Sequence, residues 1–157
     1  QGGGDMVEKV TFEKTTYGAL PLKFEAGTMN YPSAIGLAEA FDYVLSIGRE
    51  YIASLEKDLL TYATDMLSGI KGVRIFGRSD NKISTISFLI DGIHMYDTGM
   101  VLDKLGIAVR TGTHCAQPVM DRMGLDGTVR VSMCFYNTRD EIDALATGIE
   151  KVIQMFS

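Results

Sequence analysis

Cysteine is scarce in this chain, with Cys115 and Cys134 the only two among 157 residues. Two thiols are too few for the disulfide framework of a small secreted domain, and a chain of this length buries enough surface to need none. Free thiols in a reducing compartment, the cytoplasm, are therefore expected. Long apolar runs are missing as well. None approaches the roughly 20 residues that span a bilayer, and no charged segment leads into a signal-like apolar stretch. Positive charge is in deficit, with 15 basic residues against 20 acidic ones and a formal net charge of -5. No cluster of Lys and Arg interrupts that balance, which argues against nucleic acid or an anionic membrane as a partner. There is no internal repeat, and no low-complexity segment beyond Gly2-Gly3-Gly4. The opening QGGGDMVEKV also lacks an initiator methionine, and its glycines read as the interior of a longer polypeptide.

What is present describes a folded domain, since 46% hydrophobic and 22% charged residues sit close to the averages of soluble proteins. Residues 1–32 show no sustained period and hold two of the three prolines, so they read as an arm with one short strand over 10–13. From Ser33 the register changes. Ile35, Ala38, Phe41 and Val44 predict a helix stopped by Gly48, and Ile52, Leu55, Leu59, Ala63, Met66 and Ile70 a second, longer one ended by Gly72. Both are expected to pack on a core. VRIF and ISTISFLI read as a hairpin, with Ile86, Phe88 and Ile90 alternating against Ser87 and Leu89. A helix capped at Asp97 and ended by Gly106 then leads into a short strand, IAVR. TVRVSMCF alternates strictly, with Val129, Val131, Met133 and Phe135 on one face and Arg130, Ser132 and Cys134 on the other. Thr138 and Glu141 form a capping box ahead of a closing helix with Ile142, Leu145, Ile149, Val152 and Phe156 on its apolar stripe. Strands this close together leave little room for crossover helices. The pattern predicts an α+β fold, a mixed or antiparallel sheet with helices on one face.

Chemistry concentrates in RTGTHCAQP, residues 110–118. A lone cysteine is commonly a small buried hydrophobe. Cys115, however, follows a strand within a segment of Thr, Gly, Thr and His that cannot be apolar core, and the neighbouring Arg110 and His114 can stabilise a thiolate, the attacking form of cysteine. Arg130 reads either as a solvated side chain or as a clamp, because it lies opposite the apolar stripe and its guanidinium fork suits a carboxylate. Cys134, flanked by Met133 and Phe135, reads as structural. A zinc site built from Cys115, Cys134, His94 and His114 is disfavoured, since adjacent His-Cys is poor ligand spacing and no C-x-x-C exists; no metal is expected. The glycine run lacks the frame and spacing of a P-loop or dinucleotide fingerprint. In FEAGT, Thr28 offers a hydroxyl beside a glycine, a fair phosphate contact.

Taken together, RTGTHCAQP, VRVSMCFYNTRDEID, FEAGT and GGGDMV resemble the C-terminal part of group II (Suf-type) cysteine desulfurases, with selenocysteine lyases a close variant. These are pyridoxal-phosphate enzymes of the fold-type I aminotransferase superfamily. The resemblance runs essentially from Gln1 to Ser157, and its most specific part is R-x-G-x-H-C-A followed, 15 residues after the cysteine, by R-x-S-x-x-x-Y-N-T. It implies an arm and linker over residues 1–32 and a small C-terminal domain over 33–157. It implies that Cys115 is the nucleophile that takes sulfur as a persulfide, that Arg130 clamps the substrate carboxylate and that Arg110 stands beside the cysteine loop, with His114 in support. Thr28 matches a threonine that reaches the cofactor phosphate of the neighbouring subunit in a homodimer. The substrate implied is L-cysteine, or L-selenocysteine in the lyases, with alanine as product. The sulfur would pass to a Suf-type acceptor protein for iron-sulfur cluster assembly. Two departures matter. Thr113 stands where relatives often carry a second histidine, and none of the eight lysines stands in the family's cofactor motif. The large cofactor-binding domain of such enzymes would precede the glycine run, so the chain alone is expected to be inactive. The reading from a different class is a non-catalytic α+β interaction domain with Cys115 inert or merely redox-sensitive.

Overall fold

The computed structural model describes residues 2–157. Its contacts group into two compact units, the first running to Gly48 and the second Arg49–Ser157.

In the first unit, β1 (Val7–Val10) and β2 (Thr15–Tyr17) form an antiparallel hairpin in which Val7 faces Tyr17 and Val10 faces Thr15. The single strand expected over 10–13 is displaced. Thr11 N–H donates to the Lys14 carbonyl at 2.9 Å and Lys14 N–H to Thr11 Oγ1 at 3.1 Å, so Phe12 and Glu13 form the turn. Helix α1 (Tyr31–Ile47) starts where Asn30 Oδ1 accepts the Ser33 N–H at 3.2 Å, has Pro32 in its first turn, and stops at Gly48, whose φ is 93°. The helix was expected to pack on a core, yet it buries none of its residues, and Ile35 and Phe41 are 68% and 61% exposed. The period of three to four specifies a helix but not what covers it. Leu37, Tyr43 and Leu45 also extend the apolar surface beyond the expected stripe.

The second unit is built on a four-stranded antiparallel sheet in the order β3-β4-β6-β5, comprising β3 (Val73–Phe76), β4 (Thr85–Ile90), β5 (Arg110–Gly112) and β6 (Thr128–Ser132). Helices α2 (Arg49–Gly69), α3 (Met95–Lys104) and α5 (Arg139–Phe156) supply its core with Leu59, Leu67, Leu102, Leu145 and Ile149. The α+β class and antiparallel sheet are as expected. In β4, Ile86, Phe88 and Ile90 are buried, while Ser87 and Leu89 on the other face are only partly so. Burying a side chain of this size contributes about 1.5–3 kcal/mol, so the alternation sets the register.

Several boundaries move for local reasons. The fully buried residues of α2 are Leu59, Ala63 and Leu67; Met66 and Ile70 of the expected stripe are partly buried and pack against the core, and Leu67 joins them. The cap of α3 is His94, whose Nδ1 accepts the Tyr96 N–H at 3.3 Å; Asp97 lies inside the first turn. IAVR is not a strand, because pairing begins only at Arg110. Strand β6 ends at Ser132 instead of continuing to Phe135, since Asn137 Oδ1 accepts the Cys134 N–H at 2.8 Å and the chain turns there. Seven residues form an unforeseen helix, α4 (Gln117–Met123), opened by Pro118 and closed by left-handed Gly124. The capping box of α5 is present, and Phe156 at the end of its stripe is 51% exposed.

Candidate active site around Cys115

The site begins where β6 runs between its two neighbours. Ser87 of β4, Arg130 of β6 and Arg110 of β5 are register partners, so they form a row across three strands. Alternation puts that row on the sheet face opposite Phe88 and Val129, both fully buried. Like charges directly opposite each other destabilise a strand pair by about 0.2–1 kcal/mol. Among the described residues neither arginine forms an ion pair, and Arg130 Nε is buried without a hydrogen-bond partner. Two guanidiniums, a type of group whose planar fork suits a carboxylate, thus belong to one face of the sheet without an acidic partner.

Beyond Gly112 the backbone turns sharply. Ala116 N–H donates to the Thr113 carbonyl at 3.0 Å, closing a turn whose central residues, His114 and Cys115, have φ of 57° and 59°. Left-handed backbone costs a residue with a Cβ roughly 1–2 kcal/mol, so other contacts have to hold the turn. Two do so. Arg110 Nη2 donates to Cys115 Sγ at 3.3 Å, and His114 Nε2 lies 2.9 Å from Thr128 Oγ1 and 3.2 Å from the Thr128 carbonyl oxygen. Just below the turn the two strands approach closely. Gly127 has φ of 152°, and a Cβ there would stand 2.7 Å from the Gly112 carbonyl.

Cys115 is exposed, so its sulfur faces solvent beside a fixed cation. Burial and then the Arg130 charge hold the His114 imidazole below its usual pKa, with a smaller push from Arg110 and partial opposition from the Thr128 backbone bond. The neutral ring is thus favoured near pH 7. The His114 ring is bonded to Thr128, so it supports the loop. Cys134 is half-buried in the turn after β6, and a hydrogen bond with it raises the Tyr136 phenol pKa. His94, weighed above as a zinc ligand, caps α3.

Arg110, His114, Cys115 and Arg130 are therefore assembled at one sheet edge within the second unit. Thr28 lies in the first unit, between Gly27 (φ 88°) and the helix cap Asn30; it is exposed, and among the described residues its hydroxyl makes no hydrogen bond. The sequence reading passed over Thr128, which holds the loop, and Ser87 at the end of the row. Parity could have found Thr128, since it sits two residues before Arg130 on the same strand face.

Known proteins resemble this chain along nearly its whole length. The aminotransferase class-V family pattern matches residues 1–145. A cysteine desulfurase of Synechococcus elongatus is 47% identical over 152 residues, covering 97% of this chain and 24% of the relative. A probable cysteine desulfurase of Halobacterium salinarum is 42% identical over 156 residues, 99% of this chain and 38% of the relative. The crystal structure of the cysteine desulfurase CsdA from Escherichia coli superposes with a TM-score of 0.88 at 35% identity, covering 100% of this chain and 39% of that one. The apo cysteine desulfurase of Thermococcus onnurineus gives a TM-score of 0.85 at 34% identity, over 98% of this chain and 38% of that one. The chain thus spans between about a quarter and two-fifths of the length of these relatives. The matched pattern, the shared fold and the assembled Cys115 loop lead to one conclusion: this chain belongs to the class-V aminotransferase family.

Proposed function

We propose that these residues form the sulfur-accepting part of a cysteine desulfurase that converts L-cysteine to L-alanine. The observation that carries this reading is the Arg110–Cys115 contact at 3.3 Å with Arg130 directly across the strand pair from Arg110. An exposed nucleophile and an unneutralised anion receptor then share one edge of the sheet. Arg130 binds the substrate carboxylate bidentately and orients the amino acid, while Cys115 meets its sulfur. In the transfer a sulfur-sulfur bond forms at Cys115 and the substrate carbon-sulfur bond breaks. The electron pair of that bond stays with carbon, which is protonated and leaves as alanine. L-Selenocysteine fits the same constellation through the same atoms. The exposed turn leaves the persulfide accessible to a sulfur-acceptor protein of the Suf type, and iron-sulfur cluster assembly is the destination of that sulfur.

The cofactor of this chemistry is pyridoxal phosphate, which supplies the electron sink that labilises the bonds at the substrate α-carbon. Of the described residues, Thr28 fits it: an unpaired hydroxyl beside left-handed Gly27 can donate to a phosphate oxygen. In a homodimer that contact serves the partner subunit's cofactor. Thr28 binds and orients; it moves no proton. Residues 1–32 act as arm and linker and 33–157 as the small domain. None of the eight lysines is placed in the cofactor motif, so the 157-residue chain given pyridoxal phosphate is expected to release no alanine from cysteine. The test is alanine release by the cofactor-loaded enzyme containing these residues. Wild type turns over and Cys115→Ala loses that turnover, while the cofactor absorbance still responds to added cysteine. Turnover by Cys115→Ala at the wild-type rate would overturn the reading.

A further inference from the structure

The turn that presents Cys115 is closed twice, and only one closure is local. The Ala116-to-Thr113 hydrogen bond lies within the turn, whereas the His114 ring reaches 14 residues along the chain to Thr128 on β6. Thr128 is 1% exposed and is the register partner of Gly112, the last residue of β5 before the turn. Gly112, Thr113, His114 and Thr128 thus make a closed ring of contacts, with one side fixed by sheet pairing and another by the imidazole. His114 and Cys115 are consecutive residues in left-handed backbone with no glycine between them, so the turn relies on such an anchor. The anchor also has a direction. Because Thr128 and Arg130 share a strand face, a His114 ring seated on Thr128 fixes the turn on the face where Arg110 meets sulfur at 3.3 Å. Thr128 Oγ1 can serve the ring whichever way it is protonated, donating to a bare Nε2 or accepting from Nε2–H; the carbonyl can only accept.

We propose that Thr128 is a positioning residue for Cys115: its hydroxyl, acting through His114, holds the 113–116 turn so that the sulfur stays against Arg110 and open to solvent. The consequence for sulfur transfer rests on the reading of Cys115 as the nucleophile, but the positioning itself is testable without it. The probes are iodoacetate and iodoacetamide, which alkylate the same thiol and differ in charge. In the purified 157-residue chain, alkylation at Cys115 is followed by peptide mass, which separates it from Cys134. With Arg110 beside the sulfur, the anionic reagent gains relative to the neutral one. Thr128→Val removes the hydroxyl and keeps a branched side chain; it should lower the iodoacetate-to-iodoacetamide rate ratio by about threefold to tenfold, the range expected for one lost hydrogen bond. Thr128→Ser should restore the wild-type ratio. His114→Gln should match Thr128→Val, and the double variant should be no worse than either single one, since the two residues act through each other. A wild-type ratio in Thr128→Val, or additive losses in the double variant, would overturn the proposal. If Thr128→Val does not fold, His114→Gln and Thr128→Ser decide it by the same ratio. A lowered ratio in Thr128→Val together with wild-type alanine production by the same variant of the complete enzyme would count against the reading of Cys115 as the nucleophile while leaving the anchor intact.

Discussion

Arg130 is the residue at which fold and function separate most cleanly. Its backbone belongs to β6, but its side chain is on the face away from the core, opposite Arg110, with Nε buried and unpartnered. Truncation removes no core packing and relieves a like-charge pair, so Arg130→Ala should leave stability within about 0.5 kcal/mol of wild type or raise it slightly. The loss should appear in catalysis. A charge-assisted carboxylate bond is worth about 1.5–3 kcal/mol, which corresponds to roughly a ten- to hundredfold fall in kcat/KM for cysteine in the cofactor-loaded enzyme. Arg130→Lys should recover little, because an ammonium cannot form the fork. Steady-state kinetics and thermal unfolding of both variants check this, and an unchanged kcat/KM would remove the clamp. Cys115, Arg110 and Arg130 stand out in the sequence because their residue types are unusual for the places they occupy. The partner of His114 was not, because Thr128 has an ordinary side chain and its role arises only when β5 and β6 pair.

At the scale of elements, legibility followed burial. β4 and the stripe of α5 were readable because Ile86, Phe88, Ile142 and Ile149 must be inside, and the 2- and 3.6-residue periods follow from that. Boundaries set by single hydrogen bonds were not readable. Asn137 ends β6 and His94 caps α3, and neither act leaves a periodic trace. Helix α4 is too short to show a period. The capping box of α5 is the exception, a local signal with a spacing of its own. Thr138 Oγ1 accepts the Glu141 N–H at 3.3 Å and Glu141 Oε2 accepts the Thr138 N–H at 2.8 Å. That second bond, together with one from Asn137, holds the Glu141 carboxyl below its usual pKa. The folded state thus favours the carboxylate, and this contribution is present above the unfolded pKa and lost as pH falls through the folded one. Thr138→Ala should cost about 1 kcal/mol in urea unfolding at neutral pH. A wild-type midpoint in that variant would mean that α5 is held by packing alone.

At the scale of the whole molecule, the chain divides into a second unit with a full core and a first unit whose helix α1 buries nothing. Fold class was legible because the order of periods, with strands too close for crossovers, left few sheet topologies. The covering of α1 was not, since a helix's period says which side is apolar and nothing about its partner. Among the described residues no helix is long and apolar enough to cross a membrane. Cys115, held against Arg110 in its left-handed turn, is proposed as the residue on which the substrate sulfur lands. The most direct measurement is peptide mass spectrometry of the cofactor-loaded enzyme after a brief reaction with L-cysteine, thiol blocking and digestion without reductant. One added sulfur is expected on the peptide carrying Cys115, none on the peptide carrying Cys134, and no signal in Cys115→Ala. Alanine release with the added sulfur on Cys134, or with none on Cys115, would contradict it.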